Sequence, residues 1–218
     1  MVTPDEKSRK GGSFSIKAVL FDFDGTLTEP GALNFSAIRS TLGCPEGKSI
    51  LEFIDGISDE TEHDAAVSTL LRFEMEGAVK SVPHTDATFI IRYLKENGFR
   101  VGIISRNGLK PIQKALEKFK PITISDFDII ISRDDPIEPK PSGQGIIFAA
   151  NKLSVKPEEI LMVGDYLYDI QAGINAGSRT ALLIHPDKTI SFEVQSDYVI
   201  FRLSEIEAIL RLHAPLSP

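Results

Sequence analysis

Apolar and polar positions along the chain fall into two regimes. Residues 16–21 read Ile-Lys-Ala-Val-Leu-Phe, and the last four carry no polar break, which predicts a strand buried on both faces. The pattern then turns helical. Asn34 is placed to cap a short helix with Phe35, Ile38 and Leu42 on one face and Gly43 at its end. Ser49 is placed to cap a second, carrying Leu51, Phe53 and Ile54. Asp59 opens a longer one with Val67, Leu70, Leu71 and Met75 at helical spacing, ending near Gly77. From Pro83 onward helices and strands alternate. Helices are predicted over 85–97, 110–119, 145–152 and 167–176, and strands over 100–104, 127–131, 159–163, 180–184 and 198–200. Ser204-Glu205-Ile206-Glu207 has capping-box form and should start a last helix reaching 212.

Strands separated by helices of about ten residues imply an α/β fold, a doubly wound parallel sheet with helices on both faces. The all-helical block 28–83 interrupts this after the first strand and reads as a small inserted cap. The expected division is a flexible polar N-terminus over 1–13, a Rossmann-like core over 14–27 and 84–213, and the cap over 28–83.

In such sheets ligands bind beyond the carboxyl ends of the strands. The first strand is followed by Asp22-Phe23-Asp24-Gly25-Thr26, the second by Ser105, Arg106 and Asn107. Past the third, Lys140 stands between two prolines, and after the fourth come Gly164, Asp165 and Asp169. Asp22 and Asp24, two residues apart, can face the same side. Carboxylates that close repel unless a cation or a shared proton relieves them, and Gly25 permits a sharp turn. Several carboxylates, a hydroxyl and a lysine suit a hard divalent cation beside an anion, Mg²⁺ with a phosphate. No His or Cys belongs to the set, which argues against zinc there.

Composition narrows the partners. Net charge is -7 with no long Lys/Arg run, which disfavours nucleic acid. Cys44 is the only cysteine, so no intrachain disulfide can form, and a reducing compartment is expected. No stretch has the roughly 18 apolar residues of a membrane span. The expectation is a cytoplasmic protein, a monomer or weak homodimer.

The motifs D-F-D-G-T, I-I-S-R-N, the lysine of P-K-P and G-D-Y-L-Y-D, in that order, resemble the four signatures of the haloacid dehalogenase (HAD) superfamily. The insert after the first resembles the helical cap of phosphoglycolate phosphatase-like members. The resemblance implies a Mg²⁺-dependent phosphatase acting on a small phosphorylated metabolite, a phosphomonoester, through an aspartyl-phosphate. Asp22 would be the nucleophile and Asp24 the general acid/base. Mg²⁺ would be held by Asp22, the Asp24 carbonyl and Asp165. Ser105 and Lys140 would bind the phosphoryl group, and Asp169 would orient Lys140 or a metal-bound water. Gly25, Thr26, Arg106 and Asn107 would shape or support the site. Asp24 also points to phosphoryl transfer over dehalogenation, because a departing halide needs no proton.

Other readings stand beside these. Ser105 could cap the helix from Lys110, and Asp169 could serve only its helix's first turn. Asp126-Phe127-Asp128 echoes the first motif but opens a strand, a coincidence. His63 reads as solvated, His84 as a hinge or turn residue, and His185 has no evident partner. Glu29-Pro30-Gly31 and Ser81-Val82-Pro83 read as the linkers about which the cap swings, with Arg39, Lys48 and Arg72 as candidates for substrate reading. The alternatives in function are a phosphomutase, for which no second basic cluster is visible in the cap, and a non-catalytic phosphoacceptor module.

Overall fold

Strands β1 (Ala18–Phe21), β2 (Arg100–Ile104), β3 (Ile129–Ile131), β4 (Ile160–Gly164), β5 (Arg179–Leu183) and β6 (Tyr198–Ile200) form one parallel sheet ordered β3-β2-β1-β4-β5-β6. This computed structural model describes residues 15–186 and 195–213; the predicted flexible terminus over 1–13 lies outside them. The chain builds outward from β1 to β2 and β3, then returns to place β4 on the other side of β1. That reversal leaves a crevice at the carboxyl ends of the central strands. Register brings the strand ends level: Phe21 pairs with Ile103 of β2 and with Val163 of β4.

Alternation along β1 sends its side chains into two layers. Val19 and Phe21 pack with Ile90, Ile91 and Leu94 of α4 (Ala87–Glu96), Ile112 and Leu116 of α5 (Leu109–Leu116) and Ile206 and Ile209 of α8 (Ile206–Leu212). Ala18 and Leu20 pack with Ile146 and Ala149 of α6 (Gln144–Leu153) and Ala172 of α7 (Leu167–Ala176). Each such large apolar side chain contributes about 1.5–3 kcal/mol on burial, so the central strands are the rigid base of the molecule.

Helices α1 (Phe35–Leu42), α2 (Ile50–Asp55) and α3 (Glu60–Lys80) come after β1. They bury a cluster of their own: Ile38, Cys44, Ile50, Ile54, Ala66 and Leu70. Asn34 and Asp59 cap α1 and α3 by accepting from the N–H groups of Ala37 and Glu62. Two expectations fail in α3. Its buried stripe is Ala66, Leu70, Glu74, Gly77 and Ala78, while Val67 is exposed. The helix also runs past Gly77 to Lys80. Gly77 is glycine for space, since a Cβ there would meet Leu33 Cδ2 at 2.7 Å. The last turns of α3 lie against α5 of the core.

The two linkers are paired. Thr28 and Pro83 form an antiparallel bridge, Glu29 N donates to Val82 O at 2.8 Å, and His84 N donates to Leu27 O at 2.8 Å. The predicted capping box at 204 does not form. Ser204 Oγ donates to Asp86 Oδ2 at 2.7 Å, tying α8 to the start of α4, and helical backbone begins at Ile206 after a tight turn. Asp128 accepts from Val101 N and pairs with Arg100 at the start of β2, a structural role away from the crevice.

Candidate active site

β1 ends at Phe21, the N–H of Asp22 just past it donates to Val163 O at 2.8 Å, and the chain then makes one wide turn closed by Thr28 N donating to Phe23 O at 3.0 Å. Gly25 has φ +87°, open to glycine and strained for other residues. A Cβ at Gly25 would also fall 2.6 Å from Asp165 Oδ2, so the turn presses its backbone against the carboxylate after β4.

Lys140 is the charge centre. Its ammonium lies 2.5 Å from Asp22 Oδ1 and 2.6 Å from Asp169 Oδ1, and all three side chains are buried. Burial alone would lower the Lys140 pKa, but the charges of Asp169 and Asp22 outweigh it and raise it, so the group stays an ammonium. Burial pushes the carboxyls of Asp22 and Asp169 upward against the pull of Lys140. Asp169 Oδ2 meanwhile accepts from Tyr166 N at 3.0 Å, so the residue serves both its helix and the lysine. Gly164 makes room for it: a Cβ at 164 would lie 2.2 Å from Asp169 Cβ.

Asp24 stands on the same edge. Asn107 Nδ2 donates to its Oδ2 at 2.9 Å, and burial pushes its carboxyl up to about 6, against the Asn107 hydrogen bond. Ser105 N donates to Ile131 O at 2.9 Å, and its Oγ accepts from Asn107 N at 3.1 Å within the loop. It does not cap α5, whose Leu109 N donates to Asp134 Oδ2 at 2.9 Å. Arg106 reaches across the crevice. One of its nitrogens donates to Ser49 Oγ at 2.6 Å, the other to the Lys140 carbonyl, and the guanidinium lies 4.9 Å from the Tyr168 ring centre.

A cavity of about 640 Å³ opens between these groups and the helical block, with Leu33, Phe35, Ile38, Leu51 and Leu70 on its far wall. Arg39 lines it, with its guanidinium held by Pro45 O at 3.0 Å. Lys48 lies over the Phe53 ring and Arg72 pairs with Glu76 at 3.0 Å, and neither lines the cavity. Thr26 is fully buried, and its Oγ1 has no hydrogen-bond partner among the described residues.

Sequence reasoning missed two participants. Glu74 of α3 is buried against the site and forms a two-oxygen ion pair with Arg133, 59 residues away. His185 comes after β5 and places Nε2 2.6 Å from Gly25 O and 3.8 Å from Asp165 Oδ2. Glu74 sits on the inner stripe of its helix, a position where an acid signals a buried partner. His185 carried only its place after a strand.

Oxygens of Asp22, Asp165 and Asp169 lie within 4.8 Å of one another. All are hard donors, and with Asp169 taken up by Lys140 and Tyr166 N, Asp22 and Asp165 are the pair suited to Mg²⁺. The upward push on buried Asp22 is what a second cation would relieve.

The haloacid dehalogenase-like hydrolase family model matches residues 19–183. The chain belongs to that family. An uncharacterised hydrolase of Saccharomyces cerevisiae is 37% identical over 171 residues, covering 77% of each chain. The pyrophosphatase PpaX of Bacillus cereus is 29% identical over 210 residues, covering 89% of this chain and 96% of its own. A phosphoglycolate phosphatase-like protein from Lactobacillus plantarum superposes with a TM-score of 0.69 at 17% identity, over 90% of this chain and all of its own, which shows the shared fold. This HAD hydrolase thus has a pyrophosphatase among the proteins it is similar to in sequence. Among its described residues no helix is long and apolar enough to cross a membrane.

Proposed function

We propose that this HAD hydrolase is a Mg²⁺-dependent phosphatase for a small phosphomonoester, working through an aspartyl-phosphate on Asp22. The reading is carried by one relationship: Asp22 lies under the Lys140 ammonium while Asp24, two residues on, is held apart by Asn107 with its carboxyl near 6. The two carboxylates therefore have unequal surroundings and can take unequal roles.

Lys140 and the Ser105 hydroxyl hold phosphoryl oxygens, which lets an anionic nucleophile approach an anionic ester. A carboxylate oxygen of Asp22 attacks phosphorus, the ester P–O bond breaks, and Asp24 gives its proton to the leaving oxygen. In the second step Asp24 takes a proton from a water that attacks the aspartyl-phosphate, and orthophosphate leaves. Asp169 keeps Lys140 in place, and Asn107 keeps Asp24 aimed. Mg²⁺, held by Asp22, Asp165 and the Asp24 carbonyl, would supply charge neutralisation to the phosphoryl group. Residues 28–83 act as the cap and exclude bulk water, and their apolar wall, together with Arg106 of the core loop facing it, reads the leaving group.

The test is phosphate release from a panel holding 2-phosphoglycolate, inorganic pyrophosphate, sugar phosphates and nucleoside monophosphates, with Mg²⁺ and with chelator. Expected are repeated turnovers that need Mg²⁺ and vanish in Asp22→Asn and Asp24→Asn variants of unchanged melting temperature. Turnover that survives Asp22→Asn or chelation would overturn the mechanism. A phosphorylated isomer as the main product would make the enzyme a mutase, and a single phosphorylation without turnover would make it a phosphoacceptor module.

A further inference from the structure

The linker pair carries a second group of donor side chains that the mechanism does not use. Glu29 lies on the outgoing linker beyond β1, His84 on the returning one, and His185 comes after β5. One ligand atom from each falls within 4.8 Å of the other two. The His84 and His185 rings are 5.9 Å apart, centre to centre. We propose that Glu29, His84 and His185 form a site for a borderline divalent transition-metal ion of the zinc class, and that the bound ion pins the cap hinge and slows turnover.

The donor chemistry separates this site from the carboxylate site next to it. Two imidazoles and one carboxylate match zinc-type coordination and are a poor set for Mg²⁺, which prefers oxygens. A tetrahedral zinc ion with bonds near 2.0–2.1 Å needs ligand atoms about 3.3 Å apart, so small side-chain rotations close the present spacing. The supporting contacts are of the kind that orient metal ligands. His185 commits Nε2–H to the Gly25 carbonyl at 2.6 Å, leaving the Nδ1 lone pair for an ion. Glu29 Oε1 accepts from Thr85 N at 3.1 Å, which fixes the carboxylate and leaves Oε2 available. His84 is held by one long contact, Asp86 N to its Nδ1 at 3.4 Å, so its ring can turn.

Position supplies the consequence. Glu29 and His84 flank the Thr28–Pro83 bridge, where the chain passes out to the helical block and back. An ion shared with His185 would lock both linkers to the segment that touches the Gly25 turn. The slowing of turnover rests on the phosphatase reading above, whereas the binding does not.

The experiment uses the untagged full-length protein, stripped with chelator and titrated with Zn²⁺ by calorimetry in a large excess of Mg²⁺. Co²⁺ is used in parallel for its tetrahedral absorption bands. Expected is one Zn²⁺ per chain, bound about tenfold or more weakly by His84→Gln and by Glu29→Gln, and unchanged in Asp22→Asn. Should one hinge variant melt early, the other decides. No retained equivalent, or binding lost in Asp22→Asn but kept in both hinge variants, would overturn the site. Zn²⁺-loaded wild type should turn over several-fold more slowly, with His84→Gln resistant to the ion. Equal inhibition of both would overturn the pinning.

Discussion

Asn107 Nδ2 donates to Asp24 Oδ2 at 2.9 Å, joining the loop after β2 to the turn after β1 across 83 residues of sequence. On the proposed mechanism Asp24 gives and takes the proton, a role that needs fixed aim, and general acid–base catalysis contributes about 10²–10⁴-fold. Asn107→Ala should therefore lower kcat about 10- to 100-fold with KM nearly unchanged. Steady-state kinetics check this, and an unaltered kcat would show that Asp24 is aimed by other contacts.

Asp169 and Lys140 form a buried pair at 2.6 Å, and Asp22 shares the ammonium at 2.5 Å. Asp169→Asn should leave the fold intact but let the lysine drift, with kcat falling about 100-fold. Lys140→Ala should be worse for stability, because it strands two carboxylates in the core, a loss of about 3–5 kcal/mol. Denaturant melts and kinetics on the two variants separate these effects.

Arg106 spans the site, from Ser49 Oγ at 2.6 Å on the helical side to the Lys140 carbonyl on the core side. A lysine cannot make both bonds and lie flat over Tyr168. Arg106→Lys should raise KM about tenfold and change kcat less than threefold, measured on the best substrate of the panel.

Glu74 and Arg133 hold the inner half of α3 to the core, and burial raises the Glu74 pKa against that pairing. Glu74→Gln removes the charge Arg133 faces and should cost about 2–4 kcal/mol in urea unfolding. A double-mutant cycle with Arg133→Met would recover part of the loss if the pair itself is responsible.

The Asp128 pKa is lowered: burial acts to raise it, but Val101 N–H, Arg100 and Lys95 outweigh that. A depressed carboxyl stabilises above its unfolded value, about 3.9, and that contribution fades as pH falls through the folded value. The melting-temperature gap between wild type and Asp128→Asn should be constant from pH 5 to 7, about two units, and should shrink below about 4.

The sheet and most of the site were legible because parallel strands deliver the residues at their carboxyl ends to one edge. Asp22, Ser105 and Asp165 each come directly after a run that reads as a strand, so their meeting needed no long-range information. The register of Phe21 with Ile103 and Val163 is the physical form of that inference. Contacts that depend on the return path of the chain were not legible. Glu74 with Arg133, Ser204 with Asp86, and His185 with the Gly25 carbonyl join segments 59, 118 and 160 residues apart. The place of Glu74 on the inner stripe of its helix signals a buried partner but does not say which, and nothing local joins the other two pairs. Val67 failed for another reason: its helix packs small residues, Ala66 and Gly77, toward its neighbours, and periodicity weighted by side-chain size points to the wrong stripe.

The 2.2 Å between Asp169 Cβ and a Cβ imagined at 164 has a consequence for how freely this site can vary. Even alanine at 164 would push Asp169 away, and with it the partner that steadies Lys140. The buried lysine is thus governed from 24 positions downstream by a residue with no side chain, one that a search for charged or polar groups would pass over. Any redesign of this pocket inherits that constraint: a hydrogen at Gly164 comes first, and the choice of substrate-reading groups comes second.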